Sequence, residues 1–170
     1  MIKLRAIEKS DLEYIYNWEN DTSNWSYSYT YTPFSKDVLK LYIEQAGQDI
    51  YTSKQLRLMI DLDDDGQTRS IGCVDLFDFE PRHQRAGVGI LIGNPADRKN
   101  GYAANALGQL VNYAFTTLNL NQLFCNIAVN NTASLALFTK LGFEITGTKK
   151  QWLHINGNWI DEHTLQLLRK

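Results

Sequence analysis

The most informative pattern in the chain is a short apolar run, a break, and then an apolar repeat of helical period. Residues 88–93 read Val-Gly-Ile-Leu-Ile-Gly, a composition typical of a buried strand. Pro95 interrupts the run. From Ala103 to Ala114 the apolar side chains recur every three or four residues, as on one face of a helix. The pattern predicts a strand that leads through a loop into a helix beginning at about Gly101.

The same reasoning applied to the rest of the chain predicts an alternation of strands and helices. Turn signals at Asp63–Gly66 and Asn156–Gly157 predict two hairpins. The element order is β-α-α-β-β-β-α-β-α-β-β, which predicts a single α+β domain over residues 1–170 with about seven strands. Strands are expected at residues 2–7, 56–62, 70–79, 88–92, 123–129, 143–154 and 159–168, and further helices at 10–20, 35–43 and 133–141.

Two local predictions concern the first third of the chain. Ser10 and Glu13 have the spacing of a capping box, with Ser10 as the helix cap. Residues 24–32 carry an aromatic side chain at every second position, at Trp25, Tyr27, Tyr29 and Tyr31. This alternation predicts either a strand or an extended loop that presents an aromatic wall.

Composition excludes several classes of protein. A chain of 170 residues with 44% hydrophobic residues is long enough to bury a core, and no apolar run approaches the length of a membrane span. The formal net charge of −2 gives no general attraction for nucleic acid. Two isolated cysteines, Cys73 and Cys125, are typical of a protein of the reducing cytoplasm. Asp63, Asp64 and Asp65 are interpreted as turn residues, and no metal is expected.

The loop before the long helix is the strongest candidate for a binding site. The first N–H groups of a helix have no partner within it and lie at the positive end of its dipole, so they bind phosphate groups. Gly101 permits close approach of a ligand to the backbone, and Arg98 and Lys99 add positive charge. An ordinary strand-to-helix turn with two solvated cations explains the same residues.

Arg98-x-x-Gly101-x-Ala103 resembles the phosphate-binding signature of the GNAT superfamily of acyl-CoA-dependent N-acetyltransferases. A second stretch supports the resemblance, with Asn-Thr-Ala-Ser at residues 131–134 and Phe-x-Lys-Leu-Gly-Phe at 138–143. The resemblance extends to residues 3–5, 11–12 and 155–157, and so covers most of the chain. The subgroup that it is most similar to contains the ribosomal-protein N-terminal acetyltransferases and the spermidine N-acetyltransferases.

The resemblance implies a GNAT-type mixed, mostly antiparallel sheet with helices on both faces, and acetyl-CoA as co-substrate without a metal. It implies that the strand before the loop pairs with the pantetheine arm and that the loop binds the pyrophosphate. A homodimer is a further expectation. The cofactor-binding residues implied are Leu91, Ile92, Gly93, Arg98, Lys99, Asn100, Gly101, Tyr102, Ala103, Asn131 and Ser134.

The usual acid and base of the family are both replaced in this chain. Phe138 stands where many relatives have the tyrosine that protonates the leaving thiolate, and Gly87 stands where many have a glutamate. The resemblance leaves Ser134 as the candidate catalytic donor. Asp75, Asp78, Glu80 and His83 flank the expected cleft and are candidates for the base.

The acceptor is expected between the first two helices and the final hairpin, against Trp25, Tyr27, Tyr29, Tyr31 and Trp152. Spermidine acetyltransferases carry an acidic cluster before the second helix, whereas residues 26–34 contain no Asp or Glu. The prediction is therefore an N-acetyltransferase for a protein or peptide α-amine, or another small amine, with spermidine as the second possible acceptor. The same residues also permit a CoA-binding sensor without efficient catalysis, or a nucleotide-phosphate binder that lacks the common glycine-rich motifs.

Overall fold

One seven-stranded sheet runs through the whole protein. A computed structural model describes all residues 1–170. The spatial order of the strands is β1-β2-β3-β4-β5-β7-β6, and every neighbouring pair is antiparallel except β4 and β5, which are parallel. The strands are β1 Ile2–Ala6, β2 Leu56–Asp64, β3 Gln67–Glu80, β4 Arg85–Ile92, β5 Gln122–Ala128, β6 Glu144–Ile155 and β7 Asn158–Leu168.

Six α-helices and two short 3-10 turns complete the fold. The α-helices are α1 Leu12–Glu19, α2 Thr22–Ser28, α3 Lys36–Gln45, α4 Ile50–Ser53, α5 Tyr102–Thr116 and α6 Thr132–Lys140, and the 3-10 turns are Lys9–Asp11 and Pro95–Asp97. The predicted strands and the four predicted helices are all present, and α2 and α4 are additional. Ser35 caps α3 by accepting from Val38 N at 3.2 Å.

Apolar side chains fill both faces of the sheet. The larger cluster packs α5 and α6 against one face, around Leu107, Leu110, Leu123 and Phe138. The smaller cluster joins Ile15 of α1 and Leu39 of α3 to Met59 and Cys73 on the opposite face. The alternation of side chains along β3 places Asp75 and Phe77 on the face of the smaller cluster, whereas Val74 and Leu76 belong to the larger one.

The aromatic segment is a helix followed by a turn, neither the strand nor the extended loop that the sequence predicts. Asp21 caps α2 by accepting from Ser23 N at 2.9 Å, and the helix ends at Tyr29, whose φ of 56° is left-handed. The indole of Trp25 donates to the Glu19 carbonyl at 2.8 Å, which ties α2 to the end of α1. Tertiary hydrogen bonds therefore override the alternating pattern.

The first helix also begins differently from the prediction. The reciprocal capping box is formed by Glu8 and Asp11, not by Ser10 and Glu13. Asp11 is buried and accepts two hydrogen bonds from the Arg5 guanidinium, at 2.7 and 2.8 Å. Although burial opposes ionisation, these bonds lower the pKa of Asp11 below its usual value. Arg5 on β1, six residues earlier in the chain, holds Asp11 in this cap.

Candidate active site

Strands β4 and β5 separate soon after they begin. Their parallel pairing covers only Arg85–Gly87 against Gln122–Phe124. We call the gap beyond it the wedge, formed by residues 88–92 of β4 and 125–128 of β5. Both strands remain paired on their outer sides, β4 with β3 and β5 with β7. The inward-facing backbone groups of the wedge therefore have no partner strand.

Hydrogen bonding decides which residues of β4 face the wedge. Gly93 N donates to Ile71 O at 2.9 Å, so Gly93 is paired with β3. Because the pairing alternates along an antiparallel ladder, Leu91 also directs its backbone groups to β3, and Ile90 and Ile92 direct theirs into the wedge. Of the three β4 residues predicted to bind the co-substrate, only Ile92 directs its backbone groups into the wedge. Ile90, which the sequence did not single out, does so too.

The loop at the mouth of the wedge presents a row of backbone donors. The N–H groups of residues 99–104 donate to no protein atom, and the first bond of α5 runs from Asn105 N to Gly101 O at 3.1 Å. Gly101 has a φ of 80° and Lys99 a φ of 65°, which turn successive N–H groups to one side. A Cβ at Gly101 would meet nothing within 4 Å, so its left-handed conformation is what requires glycine.

Two side chains of the loop are used internally. Arg98 is exposed, but its guanidinium donates to the Ile92 carbonyl at 3.1 and 3.2 Å and to the Asn24 side chain at 3.2 Å. Asn100 donates to the Ala96 carbonyl at 3.2 Å. Lys99 is exposed and forms no ion pair, so it supplies the free positive charge of the loop. Arg98 instead joins the loop to α2.

Asn131 and Ser134 stand at the start of α6, next to the end of β5. The Asn131 side chain caps the helix by accepting from Ser134 N at 3.2 Å. The Ser134 hydroxyl is half-buried and has no partner in the protein. Phe138, one turn further, is buried edge-on against Phe143 with ring centroids 5.1 Å apart. Ser134 is therefore the polar group that this helix offers to the wedge.

The glutamate position of β4 is filled by an aromatic ring. A Cβ at Gly87 would lie 2.2 Å from the Phe77 ring, which itself packs edge-on against Phe124 at 5.7 Å. A side chain at Gly87 would have to displace this ring. Two residues along β4, a Cβ at Gly89 would lie 3.9 Å from an Asp75 carboxylate oxygen. The carboxylate nearest to β4 on this face therefore comes from β3.

Asp75 belongs to a charged cluster at the centre of the face. Arg57 donates to Asp75 from two nitrogens, at 2.7 and 3.2 Å, and to Glu19 at 2.6 Å. The three side chains are each about one-fifth exposed. Two carboxylates against one guanidinium give the cluster a net charge of about −1 at neutral pH. Although burial opposes it, the neighbouring Cys73 and Asp75 raise the pKa of Arg57, which stays charged.

This cluster lines a cavity of about 580 Å³ between α1, α3, the segment after α2 and the sheet. We call it the aromatic cavity. Burial raises the pKa of Tyr42, one of its walls, to about 12, so this hydroxyl remains protonated near neutral pH. The cavity is lined by Glu19, Ser28, Tyr29, Thr30, Tyr31, Thr32, Phe34, Val38, Leu39, Tyr42, Gln55, Leu56, Arg57, Asp75, Leu76 and Phe77.

The predicted acceptor residues are distributed over different surfaces. Tyr29 and Tyr31 line the aromatic cavity. Trp25, Tyr27 and Trp152 do not: Trp25 packs toward α1, Tyr27 is exposed, and Trp152 lies beneath the Lys149 ammonium at 4.7 Å. Sequence reasoning missed Glu19 and Arg57, because neither lies in a motif and only the packing of α1 on the sheet brings them together.

Comparison with known proteins identifies the family. The sequence model of an acetyltransferase (GNAT) domain matches residues 2–144. The chain belongs to the GNAT acetyltransferase family. A spermidine N(1)-acetyltransferase of Vibrio cholerae is 29% identical over 168 residues, covering 99% of this chain and 93% of that protein. The corresponding Escherichia coli enzyme is 26% identical over 161 residues, covering 93% and 81%.

Solved structures agree with the sequence comparison. The crystal structure of the Vibrio cholerae spermidine N-acetyltransferase with CoA and spermine has a TM-score of 0.87 at 28% identity, covering 98% of this chain and 95% of that one. A dodecameric structure of that enzyme has a TM-score of 0.80 at 29% identity, with 98% and 93% covered. The predicted GNAT fold is confirmed, and the protein is an N-acetyltransferase that uses acetyl-CoA to acetylate an amine.

The residues of this acetyltransferase fit the implied co-substrate. A diphosphate needs several donors on one side of a short segment, and residues 99–104 present six unpartnered N–H groups. A pantetheine arm carries amides that pair with a free strand edge, and the wedge exposes such an edge at Ile90 and at the N–H of Ile92, whose carbonyl accepts from Arg98. None of the helices has the length and apolarity for crossing a membrane.

Proposed function

We propose that the acceptor of this acetyltransferase is a polyamine, bound in the aromatic cavity beside the wedge. The observation that carries the proposal is the net negative cluster of Glu19, Arg57 and Asp75 in that cavity. An ammonium group loses hydration on entering a partly closed site, so a nearby carboxylate favours its entry. Tyr29, Tyr31 and Phe34 add aromatic faces, which attract a cation at about 0.5–2 kcal/mol each.

The relatives support the same acceptor. Two proteins that match nearly the whole chain are spermidine acetyltransferases, and one solved structure of such an enzyme holds CoA and spermine. The sequence favours a peptide α-amine as acceptor because residues 26–34 contain no acidic side chain. Glu19 and Asp75, which lie outside that segment, supply the missing negative charge. A peptide terminus carries a single amine and gains less from this cluster.

The chemistry follows from the position of the cavity. Acetyl-CoA supplies a thioester whose carbonyl carbon the neutral amine attacks. The ammonium of the acceptor must first lose a proton, and Asp75 is our candidate to receive it, directly or through water. The departing sulfur must gain a proton, for which the free Ser134 hydroxyl is the candidate donor. Backbone donors at residues 99–104 and the Asn131 amide would hold the co-substrate, and positioning supplies a large part of the rate.

The acceptor is tested by competition between spermidine, a peptide beginning with Ser or Ala, and an amino sugar. We expect spermidine to give the highest kcat/KM. Asp75→Asn changes the cluster charge from about −1 to about 0, and should raise the KM for spermidine by about tenfold or more, which corresponds to about 1.4 kcal/mol. The KM for the peptide should rise less, because the peptide has one amine charge to place, whereas loss of the proton acceptor should lower kcat for both acceptors.

The matched control is Asp64→Asn, an exposed carboxylate at the end of β2 outside the cavity. It should leave all three kcat/KM values unchanged. A higher kcat/KM for the peptide than for spermidine in the unaltered enzyme would refute the polyamine proposal and favour the peptide α-amine. Binding of CoA without any acetylated amine would point to a sensor.

We also infer that the protein acts in a reducing compartment and associates with copies of itself. Cys73 and Cys125 are buried free thiols, as expected in the cytoplasm. The edge strand β6 is exposed along almost all of its 12 residues, and Ile145, Trp152 and Trp159 on the β6–β7 hairpin are more than half exposed. A long exposed edge strand in a hairpin that carries such large apolar side chains favours a protein partner.

A further inference from the structure

Glu162 is a buried carboxylate that the proposed chemistry does not use. It lies on β7 opposite Ala128 of β5, and the whole residue is 1% exposed. One carboxylate oxygen accepts a hydrogen bond from the Tyr29 hydroxyl, and the other forms an ion pair with the Lys149 ammonium at 2.5 Å. A buried charge needs such partners, because it has lost its water. We call these three residues the Tyr29–Glu162–Lys149 cluster.

Tyr29 connects this cluster to the aromatic cavity. Its ring lines the cavity, and its hydroxyl forms no other hydrogen bond. Its φ of 56° is left-handed, a conformation that costs free energy for a bulky residue and persists only where surrounding contacts enforce it. Burial, with Glu162 beside it, raises the pKa of Tyr29, so the hydroxyl keeps its proton and donates. Glu162 therefore accounts for the position of the Tyr29 ring.

The other side of the cluster is anchored in the sheet. Lys149 lies where the β6–β7 register breaks, and its ammonium also lies 3.4 Å from the Asn126 side-chain oxygen of β5. Thr164 donates to the same oxygen at 3.0 Å. Glu162 is thus held by groups from β5, β6 and β7, whereas Tyr29 follows a seven-residue helix. In the contact between Tyr29 and Glu162, the sheet is therefore the rigid side.

Besides the Trp25 bond to Glu19, helix α2 has one long-range polar contact near each end. Near its start the buried Asn24 accepts from Arg98, which also holds the Ile92 carbonyl at the wedge. Near its end the Tyr29 hydroxyl donates to Glu162. Residues 28–32, which connect the end of α2 to α3, form one wall of the aromatic cavity. The bond to Glu162 is the side-chain contact by which Tyr29, within this wall, is fixed to the sheet.

We propose that Glu162 is a positioning residue for the acceptor, which holds Tyr29 against the aromatic cavity and thereby sets the shape in which the acceptor binds. This inference rests on the proposal that the cavity receives the acceptor, but not on that acceptor being a polyamine. It assigns Glu162 no contact with the reacting atoms. Its effect should appear in acceptor binding and not in binding of acetyl-CoA.

The test compares Tyr29→Phe, Glu162→Gln and the double variant in steady-state kinetics with the acceptor of highest kcat/KM. Tyr29→Phe should raise the acceptor KM by about tenfold, as expected for a lost hydrogen bond to a charged group. The acetyl-CoA KM and kcat should stay within about twofold. The double variant should raise the acceptor KM less than the product of the single effects, because the two residues share one contact.

Matched controls are available on the surface. Tyr51→Phe and Glu144→Gln remove the same groups from exposed residues outside the cavity, which form no side-chain hydrogen bond, and should change neither KM. An unchanged acceptor KM in Tyr29→Phe would overturn the inference, as would an equal rise in the acetyl-CoA KM. If Glu162→Gln does not fold, Tyr29→Phe alone decides.

Asp75→Asn separates this inference from the proposed function. If Asp75→Asn raises the acceptor KM and Tyr29→Phe does not, the cavity binds the acceptor and only the role of Glu162 is wrong. If neither variant changes the acceptor KM, the acceptor binds elsewhere and both proposals fail. A rise in both variants, with an unchanged acetyl-CoA KM, supports both.

Discussion

Single side chains explain why this enzyme lacks the usual acid and base of its family. The Phe77 ring fills the space above Gly87, so a glutamate there would need a different packing of β3. Phe138 packs into the core against Phe143 and has no hydroxyl. Asp75 has a carboxylate oxygen 3.9 Å from a Cβ placed at Gly89, and Ser134 lies one helical turn before Phe138, so these two are the polar groups proposed for the roles. The chemistry is therefore expected to depend on residues from β3 and α6.

Replacing Ser134 tests the proton donor. Ser134→Ala should lower kcat by about 10²-fold or more if the hydroxyl protonates the departing sulfur, since general acid catalysis contributes about that much. Affinity for CoA should change little, because Ser134 N still donates to Asn131. Calorimetry with CoA and single-turnover kinetics measure the two effects. Full activity in this variant would remove Ser134 from the mechanism, and Thr139→Ala, on the exposed side of α6, is the control.

At the scale of elements, the junction of β4 and α5 contains most of the residues predicted to bind the co-substrate. The strand ends at Ile92, the 3-10 turn Pro95–Asp97 reverses the chain, and α5 begins at Tyr102. Asn94 stabilises the turn by accepting from Ala96 N at 2.9 Å. Asp97 is buried and pairs with Arg69 of β3 at 2.5 Å, and this bond lowers the pKa of Asp97. The loop is thus fixed to the sheet before a ligand binds.

Replacing Gly101 tests this element. Gly101→Glu forces a bulky residue into a φ of 80° and adds a negative charge beside the six free N–H groups, so CoA binding should fall below detection. Isothermal titration calorimetry measures the affinity, and circular dichroism reports whether the variant is folded. Gly147→Glu, at an exposed glycine of β6 with open space around it, is the control. A folded Gly101→Glu variant with unchanged CoA affinity would contradict the site.

At the scale of the whole molecule, the two edges of the sheet differ in their protection. Strand β1 forms one edge and has five residues, and α5 packs against it. Strand β6 forms the other edge and is exposed on both faces over nearly its full length. Long exposed edges of this kind are normally covered in native proteins. A second copy of the chain is the partner that we propose for this edge.

The predicted association is measured by sedimentation or light scattering. The particle mass should exceed the 19.5 kDa of one chain, and Ile145→Lys on β6 should shift it toward the monomer. Leu41→Lys, on the exposed surface of α3, provides a matched change away from the edge. A monomer at micromolar concentration would refute the association. A mass unaffected by Ile145→Lys would place the contact on another surface.

The sequence by itself determined the elements whose signals are local. The apolar run and helical repeat at residues 88–114, the N-caps at Ser35 and Asn131, and the turns at Gly66 and Gly157 all depend on neighbours in the chain. The glycine-containing loop before α5 is of this kind too, since its N–H groups are left free by helix geometry alone. These local signals predict most of the helices and strands and the position of the co-substrate loop.

Tertiary structure alone decided the features that join distant residues. Helix α2 takes up the first part of the alternating aromatic segment, and there the Arg98 guanidinium, 74 positions away, donates to Asn24, a partner that no local pattern contains. The charged cluster at Arg57 assembles residues 19, 57 and 75, and the Tyr29–Glu162 contact spans 133 positions. Local spacing predicts which residues share a face of one element, whereas the packing of elements against one another decides which charged side chains come into contact. The proposed acceptor site of this enzyme is formed by such contacts between residues that are distant in the sequence.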